Sequence, residues 1–294
     1  MNHKAGFVCI AGKPNVGKST LMNALMGVKL SIVTPKEQTT RHRIRGIING
    51  EDYQIVFSDT PGIIKPHYLL HERMMDNVRA SFADADLVLF VTDLVEDYSN
   101  EELVNVFLAL KAPVIVAINK ADLSMQDEIN KLNSGWKKRL NPAAVIPVSA
   151  KENFNIEELK KVLVENLPEA PPFFPKEEIT DLPERFFIAE IIREKIFRNY
   201  HREIPYSSEV AVIEFKDEGT LVKMRAEIYV ERKSQKAIII GHKGEALKKT
   251  ATQARKDIEE FLGKKVFLEV YVRVEEDWRS HEKKLKRFGY DNSN

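Results

Sequence analysis

Residues 12–20 read Gly-Lys-Pro-Asn-Val-Gly-Lys-Ser-Thr, directly after the apolar run FVCIA and ahead of LMNALMG, whose apolar residues have helical spacing. These residue types at this spacing can hold phosphate. Gly12 and Gly17 let the chain turn tightly enough for the amides of Lys13, Asn15, Val16 and their neighbours, around Pro14, to line a phosphate cradle. Proline contributes no amide of its own. Lys18 reaches the β- and γ-phosphates, and the Ser19 hydroxyl, followed by Thr20, is a ligand for Mg²⁺. A strand before the loop and a helix after it are the context this chemistry needs; a Gly-rich turn arising by chance has neither.

Three further groups lie downstream, each after an apolar run. Asp59-Thr60-Pro61-Gly62 follows YQIVF; the aspartate approaches the metal through water and the Gly62 amide meets the γ-phosphate. Asn119-Lys120-Ala121-Asp122 follows VIVAI, and Ser149-Ala150-Lys151 follows VIPV. All three fall at the carboxyl ends of expected strands, the edge where α/β sheets bind ligands. Base choice follows from donors and acceptors. Guanine offers N1–H and an exocyclic amine to one carboxylate, Asp122, whereas adenine presents a bare N1. Two charge-assisted hydrogen bonds at roughly 1.5–3 kcal/mol each make the penalty for the wrong purine approach a thousandfold. The Lys120 stem then lies along the base, Asn119 braces the loops and the Ala150 amide meets guanine O6. GTP and GDP with Mg²⁺ are the expected ligands.

These residues resemble the translation-factor-like class of small GTPases over the whole first half. The groups that would meet the transferred phosphoryl are Lys18, Thr40 and Gly62. In SIVTPKEQTTRHR, where such proteins keep a first switch segment, either Thr39 or Thr40 supplies the second Mg²⁺ hydroxyl; Thr40 is the preferred candidate, with Ser19 and Asp59 as the other metal residues. Alternatively, the two threonines simply begin a strand. Ile63 stands where Ras-like GTPases keep the glutamine that orients the attacking water. An aliphatic side chain makes no hydrogen bond, so slow intrinsic hydrolysis is expected. In related GTPases an asparagine at the place of Asn15 helps to hold K⁺, which the resemblance implies here; the other reading is a turn asparagine, and equal hydrolysis rates in KCl and NaCl would remove the first.

The elements that must position these groups can be read from periodicity. Apolar runs at Phe7–Ala11, Tyr53–Phe57, Leu87–Val91, Val114–Ile118 and Val145–Val148 alternate with helical patterns, which predicts an α/β domain with a mostly parallel sheet and helices on both faces. Asn155 with Glu158 three residues on predicts a capping box at the start of its last helix. Prolines at 168, 171, 172, 175 and 183 then predict a stiff linker. The expected division is a GTP-binding domain at 1–168, a proline-rich linker at 169–184 and a smaller α+β domain at 185–294. A chain of 294 residues has room for both. Its single cysteine, Cys9, excludes intrachain disulfides and four-cysteine metal sites, and no apolar run reaches the roughly 20 residues that span a bilayer. No leader peptide is expected, and a cytoplasmic location is.

A net charge of +1 hides a basic stretch from Arg232 to Lys256, with a second basic run, KKLKR, at 283–287. Such runs are commonly solvated helix faces. Within this one, however, Gly241-His242-Lys243-Gly244 lies between an apolar run and a helix. Paired glycines let backbone press against a sugar-phosphate chain while His242, Lys243, Lys236 and Lys248 offer charge. With LEVYVRV behind it, the arrangement resembles a KH RNA-binding domain in which two strands precede helix, GxxG, helix and last strand. Periodicity alone makes AIIIG a strand; the resemblance makes it the end of a helix.

A GTPase followed by a proline-rich segment and a KH domain is similar to the Era family of bacterial and organellar GTPases, on QTTRHRIRG, DTPG, NKAD and GHKG and over nearly the full length. The resemblance implies binding of the 3′ end of small-subunit ribosomal RNA, assistance in assembling the small ribosomal subunit, and peripheral association with the inner membrane face; a monomer is expected. The competing reading is a signalling GTPase whose second domain binds a protein or membrane partner.

Overall fold

The computed structural model describes residues 3–95 and 98–290, so the outermost residues of the expected domains lie outside the described residues. The chain divides into two compact units, one of Met1–Ser31, Thr40–Lys65 and Met74–Asp181, the other of Ile32–Thr39, Pro66–Arg73 and Leu182–Asn294.

In the first unit β1 (Lys4–Ala11), β2 (Ile44–Asn49), β3 (Tyr53–Asp59), β4 (Leu87–Thr92), β5 (Val114–Ile118) and β6 (Ala144–Pro147) form one sheet in the order β2-β3-β1-β4-β5-β6. Every pairing is parallel except β2 with β3. Helices α1 (Lys18–Met26), α2 (Leu69–Ala83), α3 (Glu101–Leu108), α4 (Gln126–Leu140) and α5 (Ile156–Glu165) complete the alternation, α2 beginning in the residues of the second unit. The five apolar runs are five of these strands because a strand buried on both faces is apolar along most of its length; Leu87–Thr92 is buried throughout. Phe90, Phe107 and Trp136 pack as a ring cluster at its centre, with centroids 4.0 and 5.1 Å from Phe90. β1 is central, and the chain crosses from β3 on one side of it to β4 on the other. The crevice at its carboxyl end is therefore where a ligand fits.

One strand lies outside the expected runs, and one local expectation fails. β2 is a strand that periodicity hides, because it carries Gly46; a Cβ there would lie 2.5 Å from Met22 Cε, so the helix packs onto bare backbone. The capping box at Asn155 does not form. Asn155 takes φ 56, outside the extended region an N-cap requires, and its side chain donates to Pro147 O at 2.9 Å instead.

The proline-rich stretch differs from a free linker. Gln54 Oε1 accepts from the amides of Phe173 and Phe174 at 2.7 and 3.0 Å, and its amide donates to Phe174 O. Ile47 donates to Ile179 O, Thr180 Oγ1 to Arg45 O, and Arg45 pairs with Asp181 at 2.5 Å. Proline-rich chain whose carbonyls accept from the sheet thus runs along the edge of β2 and covers it, and the first unit extends to Asp181.

In the second unit α6 (Glu184–Asn199) and α7 (Ile204–Ser207) precede a sheet ordered β7-β8-β9, with β7 (Glu209–Asp217) antiparallel to β8 (Leu221–Val230) and β9 (Lys265–Val274) parallel to it. Between β8 and β9 come α8 (Lys233–Ile240) and α9 (Glu245–Leu262). Ile188, Ile192 and Ile196 of α6 meet Ala254 and Ile258 of α9 and Ala226 and Ile228 of β8 in the core. AIIIG is the helix end that the KH resemblance requires. The KKLKR run falls in α10 (Glu282–Arg287), where Leu285 is buried, Lys284 pairs with Glu275 at 2.8 Å, and the Arg287 guanidinium lies 5.1 Å over the Tyr229 ring. Among the described residues no helix is long and apolar enough to cross a membrane.

Candidate functional site

The cradle lies in the first unit, between β1 and α1. Lys18 is buried, and its Nζ donates to the carbonyls of Gly12 and Lys13 at 3.1 and 2.8 Å, which folds the side chain back over the loop. Burial pushes its ammonium down to about 8, against the opposing pull of the Asp59 carboxylate. Asp59 is itself fully buried, and loss of water raises its pKa, eased by the Ser19 hydroxyl. Ser19 Oγ donates to Asp59 Oδ2 at 2.7 Å and lies 2.8 Å from Thr40 Oγ1. Asp59 Oδ1 is buried without a hydrogen bond. Converging oxygen donors with one unused carboxylate lone-pair set suit a hard cation such as Mg²⁺. Thr39, by contrast, turns to Thr34 Oγ1 and Lys36 O at 2.8 and 2.7 Å.

The other loops close on this one. Asn119 Nδ2 donates to Val16 O at 2.8 Å and its Oδ1 accepts from Ala150 N at 3.0 Å, so one side chain ties the NKAD loop to both the cradle and the SAK loop. The Ala150 amide, expected to meet guanine O6, is thereby bound to Asn119; an asparagine oxygen already lies within its reach. Asp122 is exposed at the rim. Lys120 takes φ 63, and its ammonium pairs with Asp93 at 2.6 Å. Thr60 Oγ1 donates to Ile10 O, so its hydroxyl serves the strand, while the Ile63 amide donates to Gly12 O at 3.1 Å and fastens the segment after DTPG to the cradle. Ser149 Oγ accepts from the Glu152 amide, and Lys151 pairs with Glu152 at 3.0 Å in solvent. Asn15 is exposed at φ 64, a turn conformation that asparagine tolerates better than most residues. The Cys9 thiol, pushed up to about 12 by burial, is inert.

A pH dependence follows from Lys18. Phosphate oxygens favour the ammonium, so binding between pH 8 and 9 requires uptake of a proton by an amine that the empty site has begun to release. Affinity for GTP should stay flat below pH about 8 and fall towards tenfold per unit above it, while Lys18→Gln, already weak, shows no such step. Calorimetry in two buffers of different ionisation enthalpy reads the proton uptake; an affinity constant through pH 9 contradicts this account. The sign for stability is opposite. The unfolded lysine keeps its proton to 10.5, so the empty fold gains stability as pH rises from about 8.

In the second unit the GHKG turn joins α8 to α9. Gly241 takes φ 72, and a Cβ there would lie 2.6 Å from Ala246 Cβ, so only glycine fits. Lys243 takes φ 46 and, like His242 and Lys248, is exposed, whereas Lys236 is half-buried. Gly244 opens α9, whose first amides face the turn with the positive end of the helix dipole behind them. Ile238, half exposed on α8, offers apolar surface just ahead of the turn.

The family model described as "50S ribosome-binding GTPase" matches residues 7–120, and the model described as "KH domain" matches residues 203–279. GTPase Era of Geotalea daltonii is 45% identical, over 98% of this chain and 98% of its own length. The chain belongs to the Era family of GTPases. GTPase ERA1, chloroplastic, of Zea mays is 46% identical over 98% of this chain and 71% of its own. Among solved structures, Era of Aquifex aeolicus bound to GDP·AlF4⁻ superposes with a TM-score of 0.92 at 39% identity, covering 98% of this chain and 99% of that one. Era in complex with MgGDPNP and nucleotides 1506–1542 of 16S ribosomal RNA superposes with a TM-score of 0.93, again at 39% identity and with 98% and 99% coverage.

Three residues of this Era family chain escaped the sequence reading. Asp93 orients Lys120. Asn23 Oδ1 accepts from the amides of Leu30 and Ser31 at 2.9 Å each, anchoring the chain where the TPKEQTT segment begins. Arg193 is buried in the second unit and donates to Thr39 O at 2.5 Å. A polar residue at the end of an apolar run was the available signal for Asp93; the other two have none in the local sequence.

Proposed function

We propose that this chain is a GTP-hydrolysing switch that binds the 3′ end of small-subunit ribosomal RNA through its KH unit and assists assembly of the small subunit. The observation that carries this is the pairing, in one chain, of the Ser19–Thr40–Asp59 oxygen cluster with the exposed GHKG turn. Its support is the likeness over 98% of the chain to an Era that holds both MgGDPNP and a 16S RNA fragment.

In this reading the loop amides and Lys18 hold the β- and γ-phosphates, Asp122 accepts from the guanine, and Ser19, Thr40 and Asp59 hold Mg²⁺. The ion supplies positive charge against the oxygens of the transferred phosphoryl. The reaction is GTP plus water to GDP plus phosphate. Lys18 and the Gly62 amide stabilise charge on the phosphoryl oxygens. The Ile63 side chain offers the water no hydrogen bond, so turnover is slow and serves as a timer. A K⁺ role for Asn15 is the alternative to a plain turn residue, and equal hydrolysis rates in KCl and NaCl would remove it.

Filter binding of the 3′-terminal small-subunit RNA, with GTP hydrolysis measured beside it, tests the assignment. Tight RNA binding with GTP and none of the turnover on ATP is expected. Hydrolysis of GTP with no RNA binding favours the signalling reading instead. Location in the cytoplasm, a monomeric state and peripheral contact with the inner membrane face belong to the same proposal. Exposed Lys283 supports the membrane contact; sedimentation with anionic vesicles, and light scattering for mass, check them.

A further inference from the structure

Residues 32–39, the stretch that ends beside Thr40, belong to the second unit, and how they are held there is specific. A helix end leaves its last carbonyls without intrahelical partners. At the end of α6 that role falls to Lys36, whose Nζ donates to Phe197 O at 2.5 Å and to Tyr200 O. A cation at a helix carboxyl end also meets the negative end of the dipole. Three residues along, Thr39 O accepts from Arg193, which is clamped by both oxygens of Glu190 at 2.7 and 2.6 Å. Thr34, Lys36 and Thr39 are bonded to one another, which ties residues 34–39 into one hydrogen-bonded piece anchored at Lys36 and Thr39.

Tyr200 has a second contact. Its hydroxyl donates to Ile239 O at 2.8 Å and accepts from Thr250 Oγ1 at 3.2 Å. Ile239 is buried, two residues ahead of Gly241, at the carboxyl end of α8 where a free carbonyl again needs a donor. One residue thus carries the carbonyl that Lys36 holds and the hydroxyl that fixes the last turn before GHKG.

We infer that Lys36 and Tyr200 are positioning residues that transmit nucleotide state to the GHKG turn. This rests on the reading of Thr40 as a metal-site residue and of Gly241–Gly244 as the RNA contact. Phosphate and metal at the first site fix Thr40, and with it the adjoining 36–39 stretch. Lys36 then sits on, or leaves, the end of α6, and Tyr200 sets the end of α8 and so the spacing of the turn's amides. Either ligand biases the same two arrangements, which makes the coupling reciprocal.

The test uses the full chain and the 3′-terminal small-subunit RNA, with dissociation constants measured in a GTP analogue and in GDP. Wild type should differ between the two states by about 5- to 150-fold, and RNA should change affinity for the analogue by the same factor. Lys36→Met and Tyr200→Phe should each bring the ratio to within about twofold of unity, whereas Lys248→Gln weakens both states alike and keeps the ratio. Tyr200→Phe retains the ring and removes only the hydroxyl, so it decides the matter if Lys36→Met folds poorly. A ratio preserved in Tyr200→Phe overturns the relay alone, whereas a wild type that binds RNA equally in both states overturns the relay and nucleotide switching together, leaving the RNA contact itself. A wild type that binds no RNA in either state overturns the RNA reading and the relay with it.

Discussion

Asp122→Asn should lose GTP by roughly a thousandfold and gain xanthosine triphosphate. In the proposed function Asp122 accepts from two guanine donors, each charge-assisted bond contributing about 1.5–3 kcal/mol. Asparagine replaces one acceptor oxygen by a donating amide, which faces the guanine amine donor to donor. Xanthine carries a carbonyl oxygen in place of that amine, so the same amide finds an acceptor. The carboxylate is exposed at the rim of the site, so its replacement leaves the core untouched and the variant should melt as wild type does. Calorimetric titration with both nucleotides reads the exchange. Retention of GTP affinity, or loss of GTP with no gain for the xanthosine nucleotide, would remove Asp122 from base recognition.

Reversing charge at the GHKG turn should be the second large effect. On the proposed RNA contact, His242→Asp with Lys243→Asp replaces an ammonium that would face phosphate by two carboxylates, and both positions are exposed, so folding is spared. Loss of a charge-assisted bond of about 1.5–3 kcal/mol together with the new repulsion predicts a fall of roughly a hundredfold in RNA affinity. The dependence of affinity on salt should become shallower, because fewer counterions are released per complex. GTP binding, seated in the other unit, should not change. Anisotropy of labelled RNA across a salt series measures both; an unchanged slope and affinity would place the RNA elsewhere.

How far the sequence carries this account depends on the range of the interactions involved. Five strands of the first sheet could be read because a strand buried on both faces is apolar along its length. β2 could not, since what makes Gly46 a strand residue is a methionine on α1. The cradle and its companion loops were readable as motifs because phosphate chemistry dictates local residue types. The geometry that sets Thr40 beside Ser19 and turns Thr39 away was not, because adjacent residues of one type differ only in the direction the backbone gives them. The proline-rich stretch looked like a linker because its partners, Gln54 above all, lie 119 and 120 residues away. Asn155 had the composition of a cap and the backbone of a turn. The same limit hides the hold of Lys36 on α6, which only the folded chain brings together.

Crosslinking of the chain to total cellular RNA, once with a GTP analogue and once with GDP, tests the central claim most directly. The expected result is enrichment of the 3′ end of small-subunit ribosomal RNA, with protein adducts at residues 241–248 and a yield that changes with the nucleotide. Adducts scattered over many RNAs, or a yield indifferent to GTP and GDP, would contradict a nucleotide-switched RNA binder.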